Sequence, residues 1–337
     1  MSVSRTTFAL LLAAVGGCGA RTELAGVLPP IASDGGAPIS SGGEGGGGGG
    51  SNGAVRVLLF GGAKHRLPDF GLLGDTWTWD DSSWSQASSE PQARIASAMA
   101  PLADRVVLFG GLDAHGHYLG DTWEWDGAWH LRDVPGPSPR GKHVMVAFGG
   151  AVILQGGRDA HGDLVDTWRW DGSQWTRLVE NGPDVTEGGM AALADSLVLL
   201  TAPPPNDLEH ASTWRFDGSS WSFVTLDGPP PRDEFAMASL DGAAIVFGGF
   251  AASFSGASLL ADTWRFDGHA WTELAVSGPT ARAAAAMVST GDALLLYGGL
   301  AGDEGLGDVW RFAGGGWTSV GSGAPGARYD AAMAALP

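Results

Sequence analysis

Two short segments hold most of the side chains that could do chemistry together. Asp113-Ala114-His115-Gly116-His117 and Asp159-Ala160-His161-Gly162-Asp163 are near-copies 46 residues apart, and each sets carboxylate and imidazole groups two residues from one another. Oxygen and imidazole nitrogen at that spacing can chelate a divalent ion. Asp303-Glu304 offers a further acidic pair. The Asp-x-x-Gly frame is also what a solvated turn requires, so the sequence names Asp113, His115, His117, Asp159, His161 and Asp163 as possible ligands but assigns no metal. Asp171-Gly172-Ser173-Gln174-Trp175 reads as a tight Asp-Gly turn between two strands. No spacing predicts the clustered carboxylates of a sugar-cleaving site. The chain is therefore expected not to be an enzyme and to use no cofactor.

Composition limits what could position these residues. Of 337 residues, 55 are Gly and 15 are Trp, 44% are hydrophobic and only 17% are charged. Many short strands joined by tight turns suit that balance better than long charged helices. The formal net charge of −18 repels phosphate backbones and anionic headgroups, which argues against nucleic acid as a partner and toward basic or neutral surfaces. Cys18 is the one cysteine, so neither an internal disulfide nor a cysteine-based zinc site can form.

That cysteine closes an export signal. Arg5 is followed by the apolar run Phe8 to Val15, too short to span a bilayer, and then by Val15-Gly16-Gly17-Cys18. The last four residues resemble the lipobox of bacterial lipoproteins. The resemblance implies a signal peptide over residues 1–17, cleavage before Cys18 and lipidation of its new amino terminus. Gly19 after the cysteine implies the outer membrane, so the expected location is the bacterial cell envelope, with membrane contact through the lipid alone. Residues 18–53 carry the anchor and a Gly-rich stretch, including the run Gly45 to Gly50, which has no side chains to bury. A disordered linker is expected there, with a root-mean-square reach of roughly 30–35 Å.

From residue 54 onward the sequence repeats. Trp77, Trp123, Trp168, Trp214, Trp264 and Trp310 are spaced 46, 45, 46, 50 and 46 residues apart. They sit in Asp75-Thr76-Trp77, Asp121-Thr122-Trp123, Asp166-Thr167-Trp168, Ser212-Thr213-Trp214, Asp262-Thr263-Trp264 and Asp308-Val309-Trp310. A second Trp follows each, at Trp84, Trp129, Trp175, Trp221, Trp271 and Trp317. Upstream lies an apolar run ending in paired glycines, such as Val106-Val107-Leu108-Phe109-Gly110-Gly111, which predicts a strand covered on both faces. Arg94, Arg140, Arg232, Arg282 and Arg328 each precede a Met by five residues in a small-residue segment that suits an innermost strand.

A period near 46, four strands per unit and Gly-Gly punctuation describe a propeller blade. The pattern of apolar run, Gly-Gly, loop, Asp-Thr-Trp and second Trp resembles the Kelch repeat over residues 54–337. The expected fold is an all-β, six-bladed Kelch-type propeller. The first unit lacks an inner strand and the chain ends in an orphan one, Arg328 to Leu336, so pairing the two closes the ring and removes the open edge.

The resemblance also raises copper-radical oxidases, which need a Tyr crosslinked to a Cys. The propeller has no Cys and only Tyr118, Tyr297 and Tyr329, so that chemistry is excluded. The repeated arginines are expected to anchor inter-blade loops to carboxylates. In the Kelch domain of the stress-sensing ubiquitin-ligase adaptor, peptide-binding arginines include the position two residues after the repeated Arg. The matching positions here are Ala96, Lys142, Glu187, Glu234, Ala284 and Asp330. Lys142, Glu187, Glu234 and Asp330 thus become the candidate ligand-binding residues, on a ring acidic on balance. Blade four departs from the pattern, with Val185 for Arg, Thr201-Ala202 for Gly-Gly, Ser212 for Asp, and Pro203-Pro204-Pro205 in its loop. The function expected is a monomeric, lipid-anchored binding or scaffold module for a protein or glycan partner; the alternatives are a carbohydrate-active propeller enzyme and a passive surface or adhesive protein.

Overall fold

The computed structural model describes residues 56–65, 70–185, 187–201, 211–253 and 256–336. Cys18, the signal and linker segments, Ala202 and Pro203-Pro204-Pro205 lie outside the described residues. Within them the chain forms six antiparallel four-stranded sheets, and no helix. Blade I orders Ala332–Ala335, Val57–Phe60, Thr76–Trp79 and Trp84–Ser88 from the inside out. Blade II orders Ala98–Leu102, Arg105–Leu112, Tyr118–Trp125 and Trp129–Arg132. Blades III, IV and V repeat this over 144–179, 189–225 and 236–274, and blade VI over 286–322. Each inner strand touches the inner strands of both neighbouring blades, so the six make a closed ring. The chain is a six-bladed β-propeller.

Closure is by the last strand, as the repeat accounting requires. Ala335, Ala334, Met333 and Ala332 pair with Val57, Leu58, Leu59 and Phe60. The unpaired edge of the first blade is thereby covered. The second strand of each blade supplies the core: Val57 to Phe60, Val106 to Phe109 and Leu197 to Leu200 are fully buried. Blade IV keeps all four strands despite its departures.

Two devices join one blade to the next. The first is a staple. In blades II to VI the outer Trp donates its indole N–H to the Thr before the anchor Trp of the preceding blade: Trp129 to Thr76, Trp175 to Thr122, Trp221 to Thr167, Trp271 to Thr213 and Trp317 to Thr263, at 2.8–3.0 Å.

The second is a buried arginine. Arg94 is 1% exposed; it donates to the Gly110 carbonyl at 2.9 Å and grips Asp121 with both terminal nitrogens at 2.7 and 2.9 Å. The Asp121 carboxylate also accepts the Trp123 indole N–H at 2.6 Å. Arg140–Asp166, Arg232–Asp262, Arg282–Asp308 and Arg328–Asp75 repeat the arrangement. The backbone of the same arginine reaches the preceding blade, where Arg94 N–H meets the Leu73 carbonyl and Gly62 N–H meets the Arg94 carbonyl. The backbones of Arg140, Arg282 and Arg328 do the same. Side chain to its own blade and backbone to the one before makes each of these four arginines a rivet between blades, which bears out the anchoring role expected of them, and Arg232 shows the same side-chain grip. The glycine doublet exists for this contact. Gly110 has a positive φ, and a Cβ there would lie 2.5 Å from the Arg140 carbonyl oxygen.

Blade IV has lost the rivet as a unit. Val185 stands where the arginine would be and is fully buried among Ile153, Leu197 and Phe216. With no guanidinium to hold, neither the Asp nor the paired glycines are required, and Ser212 and Thr201 occupy two of those places. Gln155 of blade III ties the junction instead. Its amide donates to the Pro183 carbonyl at 2.7 Å and its Oε1 accepts from Thr167 Oγ1 at 2.6 Å.

The closing junction between blades VI and I keeps its arginine but lacks the staple. Val309 replaces the stapling Thr, and Trp84 Nε1 is buried with no hydrogen-bond partner. Tyr297 Oη donates at 2.6 Å to the Gly326 carbonyl, the position that the arginine Nε uses in other blades, and Arg328 Nε is left unpartnered. Replacing Val309, 3% exposed, by Thr gives Trp84 an acceptor of nearly the same shape. V309T is expected to raise unfolding stability by about 1 kcal/mol, seen as a higher denaturant midpoint at unchanged slope. The converse T122V orphans the Trp175 indole and is expected to lower stability by about 1–3 kcal/mol.

Candidate functional site

Immediately after each rivet the chain turns into its inner strand, and the turn brings the six ring positions to the axis. Ala96, Lys142, Glu187, Glu234, Ala284 and Asp330 all adopt a left-handed backbone, with φ between 52° and 67°. That conformation is costly for any residue with a Cβ, about 1 kcal/mol or more each. Hydrogen bonds from blade to blade offset it. Lys142 N–H donates to Ala96 O at 2.9 Å, Glu234 to Glu187 at 3.2 Å, Ala284 to Glu234 at 2.7 Å and Asp330 to Ala284 at 3.0 Å. Because Ala96 and Ala284 share the geometry, the strain belongs to the architecture and the side chain at each position is free to vary in kind.

All six positions line a single cavity of about 150 Å³ at the mouth of the central channel. Glu187, Glu234 and Asp330 bring three carboxylates against the one ammonium of Lys142. Lys142 pairs directly with Glu187, across the junction that lacks an arginine rivet. Burial is the strongest single influence on Lys142 and opposes its charge, yet the carboxylates of Glu187, Glu234 and Asp330 outweigh it and hold the ammonium above the ordinary lysine range. The ring is thus a charged cluster with an acidic surplus, held on rigid backbone. The four residues expected to bind ligand are brought together.

Sequence reasoning missed His143. It lines the same cavity, is 5% exposed, and makes no well-formed hydrogen bond at either ring nitrogen, the Phe109 backbone being the polar group within reach. Its ring meets Phe109 edge-on at 5.5 Å. Burial, and then the charge of Arg140, pull its pKa down to about 3, with the Phe109 backbone the one group favouring the charged form. A lone His in a small-residue strand carries no periodic signal that could have revealed this.

The two His/Asp loops lie at the same end of the propeller as the mouth. They join the second and third strands of blades II and III, and the bridges Ile95↔Leu112 and Gly141↔Arg158 set them beside the ring turns. Asp113, His115 and His117 form a cluster with one ligand atom from each within 4.8 Å of the others. Asp159, His161 and Asp163 do not gather in this way among the described residues. Asp163 is held by Arg158 at 3.2 Å, while Asp159 Oδ1 accepts the His161 N–H at 2.7 Å. Asp171 is the turn residue expected, its Oδ1 accepting the N–H groups of Ser173 and Gln174 at 2.8 and 2.9 Å. Cys18 lies outside the described residues.

No protein-family model matches the chain, and no curated protein matches it. The propeller assignment rests on strand order and register.

Two pH windows follow from the buried groups. Burial is the largest influence on Asp75, Asp121, Asp166, Asp262 and Asp308 and pushes their pKa values up, but the arginine and indole hydrogen bonds prevail and set them below the ordinary 3.8. Their stabilisation is complete above that value and is lost as pH falls through the lower folded-state values. His143 acts at higher pH. Below the ordinary 6.5 the unfolded chain takes up a proton that the folded chain refuses until about 3, so stability falls as pH drops through that window. Denaturant midpoints measured from about pH 7 to about pH 4.5 should decline in the wild type and decline less in H143L, with both proteins sharing the steeper loss at lower pH. Equal slopes in the upper window would show that His143 does not carry it.

Proposed function

We propose that the chain is a Kelch-type propeller serving as a lipid-anchored, extracytoplasmic binding module, and that the acidic mouth of its channel receives a basic segment of a protein partner. The observation that carries this is the ring itself: three carboxylates and one lysine around a cavity of about 150 Å³. Small-molecule pockets begin near 300 Å³, so the mouth suits a single projecting side chain better than a whole substrate. A lysine or arginine from a partner would find carboxylates already held in place, with little ordering cost left to meet on binding. The net charge of −18 extends the same preference over the molecule and would speed encounter with a basic surface at low salt.

The repeat pattern, with paired glycines, Asp-Thr-Trp and second Trp, supports the Kelch reading. Val15-Gly16-Gly17-Cys18 supports export and lipidation, and Gly19 supports the outer membrane of a bacterial envelope. The propeller acts as a monomer without cofactor or nucleic-acid partner, and binds rather than catalyses.

A crosslinked pull-down from the native cell envelope tests this, with the full chain as bait beside the E187Q/E234Q/D330N variant. The wild type is expected to capture a protein partner in a salt-sensitive manner, and the variant, at unchanged thermal stability, to lose it. Undiminished capture by the variant, or turnover of a glycan panel by the wild type, would overturn the proposal.

A further inference from the structure

We propose that Asp113, His115 and His117 form a binding site for a divalent transition metal of the zinc class, on the face of the propeller that carries the acidic mouth. His117 Nδ1 lies 3.2 Å and His115 Nδ1 3.7 Å from Asp113 Oδ2. Ligand atoms about 2.0–2.1 Å from a tetrahedral zinc are separated from one another by roughly 3.3 Å, so these two distances bracket the edge of a zinc tetrahedron. The two imidazoles lie nearly parallel, with centroids 5.8 Å apart and planes at 23°, both presenting a nitrogen to the same oxygen.

The carboxylate is positioned before any ion arrives. Its other oxygen, Oδ1, accepts the backbone N–H groups of His115 at 2.8 Å and His117 at 2.9 Å, which leaves Oδ2 to face the rings. Asp113 is largely buried while His115 and His117 are 79% and 76% exposed. One ligand is therefore fixed in the protein, two close from solvent, and a fourth position stays open to water or to a donor from a partner. That composition, one carboxylate and two imidazoles, matches catalytic-type zinc sites in ligand kind, and imidazole nitrogen selects transition metals over Ca²⁺ or Mg²⁺.

Blade III supplies an internal comparison. Its loop has Asp159 and His161 at the same offsets, but Asp163 replaces the second imidazole and is held by Arg158. The site is consequently a property of blade II and not of the repeat.

Isothermal calorimetry with Zn²⁺ on the chelator-stripped full chain tests the site. The wild type and H161A are expected to give the same one-site isotherm, H115A/H117A none, and D113N a markedly weaker one. The altered side chains of H115A/H117A are exposed, and unchanged thermal unfolding would confirm that its loss of heat is not loss of fold. Absence of Zn²⁺ heat in the wild type, an isotherm unchanged in H115A/H117A, or equal binding of Ca²⁺ would overturn the proposal.

Discussion

A guanidinium buried to 1% exposure carries a full charge and five N–H groups, all of which need partners other than water. In five blades those partners are a carboxylate gripped by both terminal nitrogens, a glycine carbonyl on the second strand, and in most of them the carbonyl two residues back. Removing one partner from such a set typically costs about 3–5 kcal/mol, because the charge left behind stays buried. Each partner prescribes part of the repeat. The carboxylate is the Asp of Asp-Thr-Trp, the carbonyl belongs to the first glycine of the doublet, whose missing Cβ also lets the next blade's arginine approach, and the second glycine makes room for the turn that follows the blade's own arginine. Most of what repeats every 46 residues or so is therefore the shell of one side chain. Blade IV supports this, since Arg, Asp and paired glycines are replaced together there.

The same side chain sets up the candidate site. By holding the loop between blades, each arginine fixes where the chain enters its inner strand, and two residues later comes the left-handed turn that faces the axis. Alanine, lysine, glutamate and aspartate all accept that turn, so the scaffold specifies a direction and leaves chemistry to the residue placed there. Binding surfaces built on such a frame can change ligand without disturbing the fold. The Lys142–Glu187 pair spans the one junction with no arginine, so charge in the ring and cohesion between blades meet at that point.

Periodicity made the architecture legible from residues alone. Apolar runs, glycine doublets and paired tryptophans recur in register, and the missing inner strand of the first unit foretold closure by the last. The six ring positions were legible too, because they sit at a constant offset from the repeated arginine. What stayed hidden depends on register between blades. The indole of Trp129 meets Thr76, 53 residues away, and no local pattern announces that bond. Gln155 looks like a mere departure from an aromatic position until the missing arginine of the next blade gives it a role. His143 is similar, since its burial depends on Phe109 from the neighbouring blade. The His/Asp loops looked equivalent in sequence; a single exchange, Asp163 for a second imidazole, together with Arg158, separates them.

The central claim is that the arginine rivets hold the ring rigid, and amide hydrogen exchange resolved at single residues tests it most directly. In the wild type, the amides of Lys142, Glu234, Ala284 and Asp330, which carry the blade-to-blade bonds, should be protected almost to the level of the buried second strands. In D308A, which strips Arg282 of its carboxylate, protection should drop at Ala284 and Asp330 while Lys142 across the ring keeps its own. Ring amides that exchange freely in the wild type, or that keep full protection in D308A, would contradict the account.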